Sequence, residues 1–258
     1  MNPLLALAAL ATALGVSAQS GISQQCSTTL AQIATNPASA CLSPSSLIPL
    51  LSSSGNTSLV DGINSWLSNA CSTARCSNAS LSAIVTNVTS GCGTELSTLG
   101  FSSSDPSSLI STVQQFYPTV RQVVCLKDGN TNCITETLTN IQTAIGSNLT
   151  LTNVEGLISS GNVSLPANVT CTNCIKAAYS TVNSAFPGLI GSDQSALQQQ
   201  CGSSFTDGTI PSGIVESASN SSSTSSHKNG APGATSVNSL FGISSSVLLI
   251  LGSAFVMA

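Results

Sequence analysis

Apolar residues recur at helical spacing along most of the chain between residues 24 and 205. Leu59, Ile63, Trp66, Leu67 and Ala70 fall at i, i+4, i+7, i+8 and i+11, a single helical stripe that delivers Cys71 to the same face. Leu81, Ile84, Val85 and Val88 repeat the pattern, as do Leu109, Val113, Phe116 and Tyr117 after the Asp105-Pro106 start signal. Ile134, Leu138, Ile141 and Ile145 form another stripe, and Ile175, Ala178, Tyr179, Val182 and Phe186 a further one, while Cys26, Leu30 and Ile33 begin the series. Breaks are predicted at Asn36-Pro37, Gly55-Asn56, Gly91, Gly100, Pro118, Gly146, Gly161, Pro187-Gly188 and Gly191. Alternation is weak by comparison: Leu149, Leu151 and residues 161–169 could be short extended pieces, and Cys125 to Cys133 reads as a hairpin turning at Asp128-Gly129. The pattern predicts an all-α domain.

The ends break this periodicity. Leu4 to Val16 is an apolar run followed by Val16-Ser17-Ala18, so residues 1–18 read as a secretory signal peptide cleaved after Ala18. From Leu240 to Ala258 the chain is apolar or small with no Lys or Arg behind it, where a permanent span would carry basic residues. Upstream stand the small residues Asn229-Gly230-Ala231 and a polar spacer from Pro232 to Ser239, the layout of a GPI-anchor signal. The anchor is expected on Asn229, with Gly230 as the second choice, and residues 230–258 as the removed propeptide, leaving the protein on the outer leaflet of the plasma membrane. Residues 216–229, rich in Ser, Thr and Asn, read as a flexible stalk. Residues 19–215 remain as the folded, cysteine-rich domain.

Composition agrees with this route. Only 5% of the 258 residues are charged and 3% are aromatic, against 41% hydrophobic. Polarity must therefore come from Ser, Thr and Asn. Asn-x-Ser/Thr sequons at Asn56, Asn78, Asn87, Asn148, Asn162, Asn168 and Asn220 are N-glycosylation acceptors in a secreted chain. The cysteines, Cys26, Cys41, Cys71, Cys76, Cys92, Cys125, Cys133, Cys171, Cys174 and Cys201, are even in number and read as a disulfide framework. Five fall between residues 26 and 92 and five between 125 and 201, and Cys71, Cys76, Cys92 and Phe101 are echoed by Cys171, Cys174, Cys201 and Phe205. Two similar half-units, 19–120 and 121–215, are one expectation from this.

Catalytic readings fare poorly. Arg75, Arg121, Lys127, Lys176 and Lys228 are set singly and form no patch for a nucleic acid. The one histidine, His227, lies in the stalk, which removes a Ser/His/Asp nucleophile set and leaves no plausible zinc site. Cys171-Thr172-Asn173-Cys174 has redox spacing, but among so many secreted cysteines it reads as structural. Carboxylate-based glycoside hydrolysis would draw on Asp61, Glu95, Asp105, Asp128, Glu136, Glu155, Asp193 or Asp207, several of which sit at cap or turn positions. Trp66, in mid-stripe, reads as a core anchor. No catalytic residue, metal or cofactor is expected.

Two resemblances add to this. Cys26-Ser27-Thr28-Thr29-Leu30, Cys41-Leu42, the Cys125-Leu126 to Cys133 segment, Cys171 to Cys174 before a long helix, and the GPI-type tail resemble a family of serine- and cysteine-rich fungal cell-surface proteins without assigned biochemistry. That resemblance implies a surface or wall protein with a structural or interaction role, in contact with wall glycans. Cys71-Ser72-Thr73-Ala74-Arg75-Cys76, a helix, and Cys92 are similar to the centre of an elicitin, an α-helical sterol-binding family, with Cys26, Cys41 and Cys125 completing six cysteines. Elicitin resemblance implies the pairs Cys26 with Cys92, Cys41 with Cys76 and Cys71 with Cys125, leaving Cys133, Cys171, Cys174 and Cys201 for a second unit. It also implies an apolar cavity for a sterol or lipid, whereas ordinary close packing predicts a filled core. A five-plus-five duplication predicts local Cys125 to Cys133 pairing instead.

Overall fold

A chain with almost no charge starts most of its capped helices with neutral side chains, and Asp105 is the exception. The computed structural model describes residues 23–49, 58–98, 101, 105–150, 153–154, 165–191 and 194–219. Helix α1 (Gln24–Thr35) is capped by Ser23, whose hydroxyl accepts from Cys26 N. Two short 3-10 turns, Pro37–Leu42 and Pro44–Leu47, lead toward α2 (Leu59–Ser72), capped by Ser58. Helix α3 (Asn78–Gly91) is capped by Ser77 and is followed by the short α4 (Gly93–Thr98). Helix α5 (Pro106–Val124) starts at the Asp105 cap. Strands β1 (Leu126–Asp128) and β2 (Thr131–Asn132) form a hairpin, and Asn132 then caps α6 (Cys133–Ile145). Next come α7 (Ala167–Thr170), α8 (Asn173–Ala185) capped by Thr172, α9 (Gln194–Cys201), and β3 (Ile214–Glu216). A Ser, Thr or Asn oxygen on an otherwise orphaned first-turn N–H contributes about 1 kcal/mol per helix.

The result is a mostly helical, disulfide-stapled fold with one small sheet of order β2-β1-β3. Several details differ from the sequence reading. Pro118 lies inside α5 instead of ending it, because the long apolar face of that helix packs against α3 and α8 and outweighs one missing backbone bond. Val169 sits in helix α7 and not in an extended piece. The expected start of the stalk, Glu216, is the last residue of β3, which pairs antiparallel with β1. Contact continues beyond it: Ser217 N and Oγ both donate to Cys125 O, and Ser219 N donates to Cys71 O at 2.7 Å. The folded domain thus extends to at least Ser219, four residues beyond the expected boundary, because paired backbone rather than side-chain hydrophobicity holds this segment.

The core is built from the expected stripes. Leu59, Ile63 and Leu67 of α2 meet Leu126, then Ile134, Leu138 and Ile141 of α6, and Ala177, Ala178 and Val182 of α8 in one continuous cluster. A second cluster, Cys26, Leu30, Ile33 and Cys92, joins α1 to α3. Trp66 is a half-buried anchor at the edge of the main cluster, its indole N–H donating to Leu42 O at 2.9 Å. The main cluster takes residues from both sides of position 121, so the two proposed halves share an interior.

Candidate functional site

All ten cysteines are paired. The pairs are Cys26–Cys92, Cys41–Cys76, Cys71–Cys125, Cys133–Cys174 and Cys171–Cys201. The first three are those the elicitin resemblance implies, and the other four cysteines close on themselves. Local Cys125–Cys133 pairing is not found, and the cysteines divide six and four, with the boundary between Cys125 and Cys133. The two halves also differ in how their bridges are nested, so the cysteine echo does not extend to connectivity. Cys171 and Cys174 bond to different partners, which removes the redox reading of their spacing. Five disulfides with no thiol left over belong to an oxidising, extracytoplasmic compartment, and the chain is in this sense an extracellular-type protein. No helix among the described residues is long and apolar enough to cross a membrane.

The candidate carboxylates mostly serve the fold. Asp105 caps α5 and is held below its ordinary value by hydrogen bonds from the Ser107 hydroxyl and the Ser108 N–H. Asp207 is lowered to about 2 by the hydroxyl and N–H of Thr209, reinforced by Lys176 at 3.0 Å. Burial pushes Glu95 up, but hydrogen bonds from Ser23 prevail and leave it lowered, tying the start of α1 to α4. Asp61 is exposed in the first turn of α2, where its charge suits the helix dipole. Glu155 and Asp193 lie outside the described residues.

Among the described residues, only Asp128 and Glu136 of these carboxylates come together. Asp128 ends β1 and Glu136 lies in the first turn of α6, and their carboxylate oxygens and Cys174 Sγ lie within 4.8 Å of one another. Glu136 Oε2 is 3.4 Å from Cys174 Sγ. That sulfur is in a disulfide and has no hydrogen to donate, nor is it a thiolate that could ligate a metal. The Cys26, Cys92 and Glu95 cluster has the same limitation. Burial and then the negative charge of Asp128 raise Glu136 above its ordinary value of 4.5. Folding therefore favours the protonated form: the stabilisation is complete below about pH 4.5 and is lost as pH climbs through the raised folded value. Glu136→Gln is expected to raise stability at pH 7 by roughly 0.5 to 1 kcal/mol, the range of a solvent-screened charge interaction. Urea titrations of both chains from pH 4 to 8 should converge at the acid end; a difference that stays constant with pH contradicts this assignment.

The two best-formed grooves among the described residues are mainly polar. The best-formed groove, about 400 Å³, runs between α1 and α3 and is lined mainly by amides and hydroxyls, with Ile33 and Gly91 completing the wall. A second, about 250 Å³, lies at the end of α6 beside Gln142 and Asn148. Neither matches the apolar cavity that sterol binding implies, and neither touches Asp128 or Glu136. Of the sequon asparagines, Asn78, Asn87, Asn148 and Asn168 are exposed, while Asn56, Asn162 and Asn220 lie outside the described residues, as do the signal segment, His227 and the anchor residue Asn229. The grooves were not legible in the sequence, since they depend on how far apart two packed helices stand.

No protein-family model matches this chain, and no curated protein or solved structure matches it either.

Proposed function

We propose that this chain is a GPI-anchored, N-glycosylated protein of the cell surface or wall, with a helical domain that serves structure or interaction and not catalysis. The observation that supports this best is the complete five-disulfide framework, which suits a small-residue domain exposed outside the cell. Four exposed acceptor asparagines on three different segments agree with it. So does the C-terminal edge of the domain, where β3 and Ser217–Ser219 are fastened to Cys125 and Cys71 before the Ser-rich segment begins. A tether leaving from this point would transmit force to a disulfide and the core rather than to a frayed end.

Treatment of intact cells with phosphatidylinositol-specific phospholipase C is expected to release the protein. Retention on the membrane, with the Leu240 to Ala258 peptide detected by mass spectrometry, would show that the tail is kept and the anchor reading is wrong. Sterol or lipid binding, the alternative drawn from the elicitin-like cysteines, gains support from the disulfide pairing but not from the two grooves, whose linings are mainly amide and hydroxyl. A polysaccharide-modifying enzyme would need its two carboxylates on a cleft, and Asp128 and Glu136 line neither groove.

A further inference from the structure

The groove between α1 and α3 is neutral throughout and without an aromatic ring, with Ile33 and Gly91 set among its polar side chains. From α1 and its C-terminal cap come Gln25, Thr29, Gln32 and Asn36, at i, i+4, i+7 and i+11, and from α3 come Asn87 and Ser90 at i and i+3. Each set is one helical face, and the two faces look at each other. Gly91 forms part of the wall where the helices come closest; a methyl group there would collide with the Thr29 side chain. The side-chain amides of Gln25, Gln32 and Asn87 have no hydrogen-bond partner among the described residues, and Asn36 uses only its oxygen, on Ala38 N. Unused amide donors and acceptors around a space of about 400 Å³ match a sugar, whose hydroxyl and acetamido groups need both.

One wall residue is itself a glycan acceptor. Asn87 opens the sequon Asn87-Val88-Thr89, so a sugar attached there begins inside the groove and needs no independent affinity to occupy it. A sequon residue, Asn148, also lines the second groove, but there the Gln142 oxygen already accepts from Ser58 Oγ and Leu149 N and the Thr139 and Thr143 hydroxyls donate to backbone carbonyls. We infer that the α1/α3 groove is the seat of the first N-acetylglucosamine units of an N-glycan on Asn87, which cover the Cys26–Cys92 bridge and pin α1 to α3. This rests on the proposed secretory, glycosylated state.

The test uses the full chain produced through a eukaryotic secretory pathway, with site occupancy read by glycopeptide mass spectrometry and local opening by hydrogen exchange. Asn87 is expected to be occupied. Amides of residues 25–35 and 86–92 should exchange on the order of threefold to tenfold faster in Asn87→Gln, as for the loss of one net hydrogen bond. Gln32→Ala should produce the same acceleration in the glycosylated protein and none in the Asn87→Gln background. Endoglycosidase trimming of the folded wild-type chain to one N-acetylglucosamine should keep the protection, and amidase removal should abolish it, a comparison that does not depend on a variant folding. An unmodified Asn87 beside glycans at Asn78, Asn148 or Asn168 overturns this inference alone. Absence of glycan at all four overturns the glycosylated-surface reading with it. An occupied Asn87 whose removal leaves exchange unchanged refutes the docked seat.

Discussion

Replacing Cys71 and Cys125 together by serine is expected to cost about 4 kcal/mol, the loop-closure value for a bridge spanning 54 residues. For a domain of this size that corresponds to a fall in Tm of about 8 to 16 °C. The bridge ties the end of α2 to the start of the β1/β2 hairpin, with Cys125 fully buried. Arg121 lies across the same junction, donating to the carbonyls of Ala70 and Thr73 at 2.8 and 2.5 Å and so satisfying the end of α2 with a positive charge. Beyond the global loss, the variant has a local signature. The N–H groups of Ser217 and Ser219 bond to Cys125 O and Cys71 O, so their hydrogen exchange should accelerate more than that of α8. Calorimetry and exchange on the same sample check both parts. A stability change below about 1 kcal/mol would mean that α2, the hairpin and β3 hold together without the bridge.

Leu138→Ala is expected to cost about 3 kcal/mol. Leu138 is 1% exposed on α6 and belongs to the cluster that also contains Leu67 of α2 and Ala178 of α8, so its removal leaves a cavity lined from both sides of the chain. The shape of the transition matters as much as its position. With a shared interior, denaturant should still unfold the domain in one step with an unchanged slope, because weakening α6 weakens everything packed on it. Two separated transitions, the later one matching wild type, would show that residues 26–125 form an independent unit and that the shared cluster contributes little cohesion.

These two expectations rest on features of different legibility. The apolar stripes were readable because an α-helix must bury one face, and Ile134, Leu138 and Ile141 have no other face on which to lie. Among the N-caps, Asp105 before Pro106 was readable, whereas Ser23, Ser58, Ser77 and Thr172 were not separable from the many other Ser and Thr of the chain. Pro118 misled because a local penalty of one backbone bond is smaller than the tertiary packing along a helix of 19 residues. Strand β3 was invisible for a related reason: Ile214, Val215 and Glu216 carry no alternation, and only the partner strand Leu126–Asp128 makes them extended. The cysteine echo between the halves was a matter of spacing, and spacing does not encode which sulfurs meet.

By itself the sequence determined the helical class, the stripes that become the core, the oxidised state of the cysteines and the positions of the Asn-x-Ser/Thr sequons. These follow from local periodicity and composition, which act within a few residues. Tertiary structure alone decided that the ten cysteines split six and four, that the folded edge reaches Ser219, and that Asp128 meets Glu136 against a disulfide. It also decided that the partnerless side-chain amides of Gln25 and Gln32 face that of Asn87 across a groove. Each of these depends on the distance between segments far apart in the chain, a quantity set by how side chains fill the space between helices and not by any one stretch of residues.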